Sequence, residues 1–116
     1  MTDSDLADQL GTETEAHPGM MPFRVARKQR ETDEITSFYL EPVRPGDWRP
    51  FRAGQHLAIA LEDCPGRPLA TYTISSGPEQ RGHYRITVKR EPEGLGGSRQ
   101  LHDQISEGDT LQVSPP

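Results

Sequence analysis

From Phe23 onward, apolar and polar residues alternate with a period of two, and short clusters of Gly, Pro, Asp and Glu interrupt the alternation. The pattern predicts a first strand over Phe23 to Arg30, with Phe23 and Val25 on one face. A second strand, Ile35 to Pro42, puts Thr36, Phe38 and Leu40 on one face and Ile35 and Tyr39 on the other. Glu31 to Glu34 is the polar turn between them, and Arg44 to Phe51 is a Pro/Gly loop whose Trp48 packs against the body. A third strand, Gln55 to Leu61, gathers Leu57, Ile59 and Leu61. After a loop over Asp63 to Pro68 comes a fourth strand, Leu69 to Ser75, rich in Thr, Tyr and Ile. Gly77 to Gly82 is a hairpin loop, and His83 to Arg90 is a fifth strand.

The period changes after Arg90. Gly94-Leu95-Gly96-Gly97-Ser98 is a glycine loop. Ser98 is placed to N-cap a short helix through Ile105, with Leu101 and Ile105 four apart on one face. Glu107-Gly108-Asp109 is a turn, and Thr110 to Ser114 is a sixth strand. These elements predict an all-β fold: a six-stranded antiparallel Greek-key barrel with one short helix before the last strand. Closure is favoured because it removes exposed edges.

Charge separates a leader from this body. Met1 to Pro22 shows no periodic apolar pattern and reads as a disordered acidic leader, leaving 23–116 as the barrel domain. The net charge of the 116 residues is -5, and Asp3, Asp5, Asp8, Glu13 and Glu15 account for all of it. A neutral body argues against non-specific nucleic-acid binding. Apolar content is 31% with seven aromatics, a lean core that leaves room for a ligand or a second domain to complete the buried surface.

Other classes fall away. The longest aliphatic run, Leu57-Ala58-Ile59-Ala60-Leu61, is far too short to cross a bilayer as a helix. The start of the chain lacks the basic and apolar regions of a secretory signal. Cys64 is the single cysteine, so no intrachain disulfide and no multi-cysteine metal site is expected. No His lies at ligand spacing from Cys64, and no carboxylates are spaced for acid–base hydrolysis. A cytoplasmic setting is the simplest reading.

Two segments carry chemistry. In Gly96-Gly97-Ser98, glycines free backbone N–H groups to face a ligand, and a helix start favours an anion, commonly phosphate. In Ala70-Thr71-Tyr72-Thr73-Ile74-Ser75-Ser76, an aromatic stands beside hydroxyl and backbone donors, an arrangement suited to a flat heteroaromatic ring. Each segment also has an ordinary structural reading, as a helix start and as a strand of good propensity.

Their order along the chain is more telling. Tyr72-Thr73 on strand four, Thr87-Val88-Lys89-Arg90 on strand five, then Gly-Gly-Ser before Leu101-His102-Asp103, resembles the flavin-binding barrel of the ferredoxin reductase-like superfamily. Phe51 to Leu57 is similar to that family's approach to its third strand, so the resemblance covers about Phe23 to Pro116. The Gly94 to Ser98 spelling is similar to FMN-using phthalate dioxygenase reductases, and the rest to FAD-using flavohaemoglobin-type reductases. The resemblance implies FAD, with FMN as the alternative, and electron transfer from NAD(P)H through flavin to a redox partner. It implies Tyr72 against the isoalloxazine or ribityl region, and Thr73 as the catalytic-site residue offering its hydroxyl or N–H to flavin N5. Thr87, Val88 and Lys89 would meet the ring edge and ribityl chain, largely through backbone. Gly96, Gly97 and Ser98 would hold the phosphate. The family's NAD(P)-binding domain would follow the barrel, and no dinucleotide fingerprint stands in this sequence, so the chain alone is expected to be inactive toward NAD(P)H.

One position departs from the family motif, Arg-x-Tyr-Ser/Thr: the phosphate-binding Arg is Ala70 here. Losing such a charge-assisted contact costs on the order of 1.5–3 kcal/mol. Arg67 from the preceding loop, or Lys89 or Arg90 from strand five, would have to replace it. The alternative is a non-catalytic barrel that has lost flavin and binds a partner protein or nucleotide-like ligand.

Overall fold

The structure, a computed structural model, describes residues 19–60, 69–91 and 97–116. Six strands and one helix follow in chain order: β1 (Met21–Arg30), β2 (Ile35–Pro42), β3 (His56–Ala60), β4 (Leu69–Thr73), β5 (Tyr84–Lys89), α1 (Gly97–Gln104) and β6 (Thr110–Val113). The expected strands are all present, most ending within a residue or two of their sequence limits. β1 starts two residues early because Met21 and Pro22 pair with Val113 and Gln112 of β6, a partner no local pattern reveals. A 3-10 turn, Pro45–Asp47, interrupts the loop after β2.

All pairings are antiparallel, in the order β4-β3-β6-β1-β2-β5. β3, β4 and β5 follow one another as neighbours, β4 and β5 meeting at an isolated bridge, and β6 returns beside β3, a Greek key in the spatial order β6-β3-β4-β5. The sheet curls until its outer strands approach. β4 and β5 then meet at one isolated bridge, Ile74 to Ile86, rather than along a full ladder. The barrel is therefore joined at one point and open beside it.

The inward faces are those the alternation marks. Phe23, Val25, Phe38, Leu40, Leu57, Ile59, Ile86 and Val88 are buried, and Leu101 of α1 and Val113 of β6 join them. Burying each such side chain contributes about 1.5–3 kcal/mol. Tyr84 is fully buried at the end of the barrel that receives the 44–55 loop. Its ring stacks on Phe23 at 5.4 Å and Trp48 at 5.9 Å and meets Phe51 edge-on at 5.7 Å. Its hydroxyl accepts from Arg49 N–H (2.8 Å) and donates to Arg49 O (2.7 Å), while Trp48 Nε1 donates to His83 O (3.0 Å). Trp48 thus packs the loop on the barrel as expected. Burial pushes the Tyr84 phenol above its ordinary value, against a smaller pull from Arg49.

One irregularity redirects a charge. Val25 pairs with Leu40, but Arg27 pairs with Tyr39, leaving Ala26 as an extra residue in β1. This bulge resets the alternation, so Lys28 stands opposite Phe38 on the inner face and its ammonium lies 5.7 Å from the Phe38 ring. Among the described residues no helix is long and apolar enough to cross a membrane.

Candidate functional site

The seam between β4 and β5 has a closed end and an open end. At the closed end Ser75 N–H donates to Arg85 O (2.7 Å), and Ser75 Oγ lies 3.0 Å from Thr87 Oγ1. Thr87 Oγ1 in turn lies 3.2 Å from the buried Ser37 hydroxyl. The Arg85 guanidinium returns to the same place, with Nε donating to Ser75 Oγ (3.0 Å) and Nη2 to the Ser75 carbonyl. Arg85 N–H donates to Ser76 Oγ (3.1 Å). These bonds link residues 9 to 50 positions apart, which is why no local motif announces them.

Beyond the bridge, pairing between the two strands stops. The direction of the backbone there follows from neighbouring bonds. Ile74 N–H donates to Gln55 O on the β3 side, whereas Ser75 N–H points across the seam to Arg85. Strand alternation then turns Thr73 N–H toward the seam, like that of Ser75. On the facing strand, Arg90 N–H donates to Glu34 O beside β2, so the peptide groups of Thr87 and Lys89 turn the opposite way, into the seam, Thr87 at the bridge itself and Lys89 beyond it. Val88 is different. Its side chain is buried in the core and its carbonyl lies 2.7 Å from His102 Nε2.

Side chains agree with an opening here. Tyr72 shares the inner face of β4 with buried Ala70 and Ile74, yet it is only half-buried and packs at the margin of the core. Thr73, Thr87 and Lys89 are exposed. Ser98 lies at the start of α1, but it is not the N-cap expected from sequence. The helix begins at Gly97, and Ser98 Oγ accepts the Glu91 N–H at 2.8 Å. Glu91 lies two residues past the end of β5, and Ser98 Oγ supplies an acceptor for its N–H. The bond brings the helix start beside the end of β5. Seven site residues are thus described, of which Tyr72, Thr73, Thr87, Lys89, Gly97 and Ser98 belong to the seam or its continuation, and Val88 supports it from the core. Gly96 and Arg67 lie outside the described residues.

The missing cation can also be traced. Ala70 is 3% exposed within the core cluster, so its strand position supplies no charge. Arg90 is turned away: its Nη2 and Nε meet Asp103 at 2.9 and 3.4 Å. That hydrogen bond holds the Asp103 carboxyl below its ordinary value and raises Arg90, with direct charge attraction adding to both shifts. Arg90 and Asp103 line a groove of about 540 Å³ with Lys28, Arg30, Asp33, Thr36 and His102, apart from the seam residues. Lys89 alone of the described candidates stands on the seam edge, exposed and without an ion pair among the described residues.

The donor set suits a flavin phosphate ester. Inward-turned peptide groups and a half-exposed tyrosine ring match a flat ring with hydrogen-bonding edges, and a lysine and a helix start match its phosphate. Comparison with known proteins gives the same answer. The family described as the oxidoreductase FAD-binding domain matches residues 22–116. The chain is 45% identical over 98 residues to the flavohemoprotein of Pseudomonas aeruginosa, covering 84% of this chain and 24% of that protein. It is 34% identical over 116 residues to the flavohemoprotein of Bacillus subtilis, covering 98% and 28%. Among solved structures it is similar to phthalate dioxygenase reductase, described as modular for electron transfer from pyridine nucleotides to [2Fe-2S], with TM-score 0.78, 34% identity and coverage of 91% and 32%. It is also similar to the flavohem-like FAD/NAD binding domain of nitric oxide dioxygenase from Vibrio cholerae, with TM-score 0.69, 30% identity and coverage of 85% and 44%. The chain spans about a quarter of the length of the curated relatives it matches.

Proposed function

Because the chain belongs to the oxidoreductase FAD-binding domain family, we propose that the open end of its β4–β5 seam holds the flavin ring and that Lys89 and the start of α1 hold the phosphate. Thr73 carries this reading, since its N–H faces the seam just where pairing ends. Thr73 would present that N–H, and its hydroxyl, to the reactive nitrogen of the ring. Tyr72 would lie against the ring or ribityl chain, while Thr87 and Lys89 meet its edge with their peptide groups. Val88 would act through the core, keeping β5 straight beneath them. Gly96, Gly97 and Ser98 would offer N–H groups to the phosphate. Lys89 would take the role of the arginine replaced by Ala70, with Arg67 as the second candidate. When bound, the flavin supplies hydride and electron transfer, and the protein positions and tunes it.

The larger reaction is electron transfer from NAD(P)H through FAD to a haem, iron–sulfur or oxygenase partner in the cytoplasm. The names of the relatives, flavohemoproteins and a reductase serving [2Fe-2S], support it. The nicotinamide step needs a dinucleotide-binding domain that residues 22–116 do not contain, so these residues alone would not oxidise NAD(P)H at an enzymatic rate. Titration of the chain into FAD, and separately into FMN, tests the flavin site. Saturable quenching of flavin fluorescence is expected, tighter for FAD. Thr73→Pro, which deletes the seam-facing N–H, should weaken it by at least tenfold while Thr73→Ser leaves it within about twofold. Quenching by neither flavin at high micromolar concentration would leave the alternative, a barrel that binds a partner protein or another nucleotide-like ligand.

A further inference from the structure

We propose that His102 and Lys28 are positioning residues for the flavin phosphate: together they fasten α1 so that its first turn stands at the open end of β5. The inference rests on the proposed site and deepens it. α1 has eight residues, about two turns, too short to hold its place by helix propensity. Its pose must come from ties to the barrel. Leu101 is buried in the core, and the next residue makes the key polar tie: His102 Nε2 lies 2.7 Å from the carbonyl of Val88, between Thr87 and Lys89. His102 thus joins the helix to the strand stretch assigned to the ring edge.

Lys28 fastens the other end. Its ammonium donates to His102 O at 2.6 Å and to Ile105 O at 2.7 Å, satisfying two carbonyls at the helix C-terminus. A cation is favoured there by the helix dipole. Lys28 reaches the helix because the Ala26 bulge turns it to the inner face. The two residues stand 74 apart in the chain. Together with buried Leu101, the Ser98–Glu91 bond and the Arg90–Asp103 pair, the strand defect in β1, Lys28 and His102 therefore help set where Ser98 sits, about one turn away from His102. Neither residue touches the seam itself, so their effect on a ligand must pass through the helix.

That indirect route gives a specific signature. Loosening α1 should weaken the grip on the phosphate and leave the grip on the ring. The 116-residue chain and its His102→Ala, His102→Gln and Lys28→Met variants are titrated with FAD and with riboflavin, which lacks the phosphate, and circular dichroism verifies folding. His102→Ala and Lys28→Met should each lose FAD affinity by about tenfold, the worth of one or two hydrogen bonds, with riboflavin changed by less than about twofold. His102→Gln, whose amide keeps a donor for Val88 O, should recover most of the loss. If His102→Ala does not fold, His102→Gln and Lys28→Met carry the comparison. Unchanged FAD affinity, or an equal loss for both flavins, overturns the inference and leaves the flavin site intact. A wild-type chain that binds neither flavin overturns the site, and the inference with it.

Discussion

The same two strands, β4 and β5, form both the most tightly tied and the most open stretch of the barrel wall. Toward Ser75 and Arg85, a backbone bond, three hydroxyls and a guanidinium satisfy one another across the join. Toward Thr73 and Lys89, no further bridge joins the strands, peptide groups turn into the seam, and side chains stand exposed. Buried polar groups in native proteins find partners. On the proposed reading, a seam saturated at one end and unpaired at the other is where a polar ligand completes the sheet. On that reading the closed end serves stability and the open end binding, and substitutions should separate the two.

The largest effect falls on the closed side of the molecule. Tyr84→Ala removes a fully buried ring and its stacking on Phe23 and Trp48, and should cost about 3–5 kcal/mol and lower Tm by more than 10 °C. Tyr84→Phe, which keeps the ring and loses only the Arg49 bonds, should cost about 1–2 kcal/mol. Next comes the open side. Lys89→Ala should weaken FAD by about tenfold with Tm unchanged, because the side chain is exposed and lacks an ion pair among the described residues. Ser75→Ala should do the reverse, costing about 1 kcal/mol of stability with little change in FAD affinity beyond it. A Lys89→Ala variant that melts early and binds normally would erase the distinction between the two ends.

The smallest effect concerns pH. Arg90 depresses the Asp103 carboxyl, chiefly by its hydrogen bond. A lowered carboxylate stabilises the fold at pH above its unfolded value and loses that contribution as pH falls through its folded value. Both groups are exposed, so the contribution is small. Asp103→Asn should lower Tm slightly at pH above 6, where the ion pair contributes, and converge with the wild type as pH falls, flattening the acid side of a Tm-against-pH curve.

The strand pattern was legible because most strands of this barrel bury one face, β2 being the exception with Thr36, Ser37 and Phe38 all buried. Phe23 and Val25 alternate with exposed or half-exposed neighbours and lie inside as expected, as do Leu57 and Ile59 on either side of half-exposed Ala58. Strand limits and side-chain roles set by distant partners were not legible. Met21 joins β1 only because β6, some 90 residues later, offers Val113. Lys28 looks like a surface lysine until the bulge at Ala26 turns it inward. Ser98 has the spelling of a helix cap, but the nearby end of β5 claims its hydroxyl. By sequence Arg90 is as able as Lys89 to meet a phosphate, but only the structure shows it paired with Asp103 on the helix. The proposed site residues were picked out by their order along the chain, while the seam that brings the described ones together depends on where pairing between two strands ends, which alternation alone does not encode.

Amide-resolved hydrogen exchange with and without FAD tests the central claim most directly. The account predicts that FAD slows exchange at Thr73 and Ser98, and leaves Ser75, already bonded to Arg85, unchanged. Protection that appears elsewhere on the barrel, with Thr73 and Ser98 exchanging as before, would contradict it.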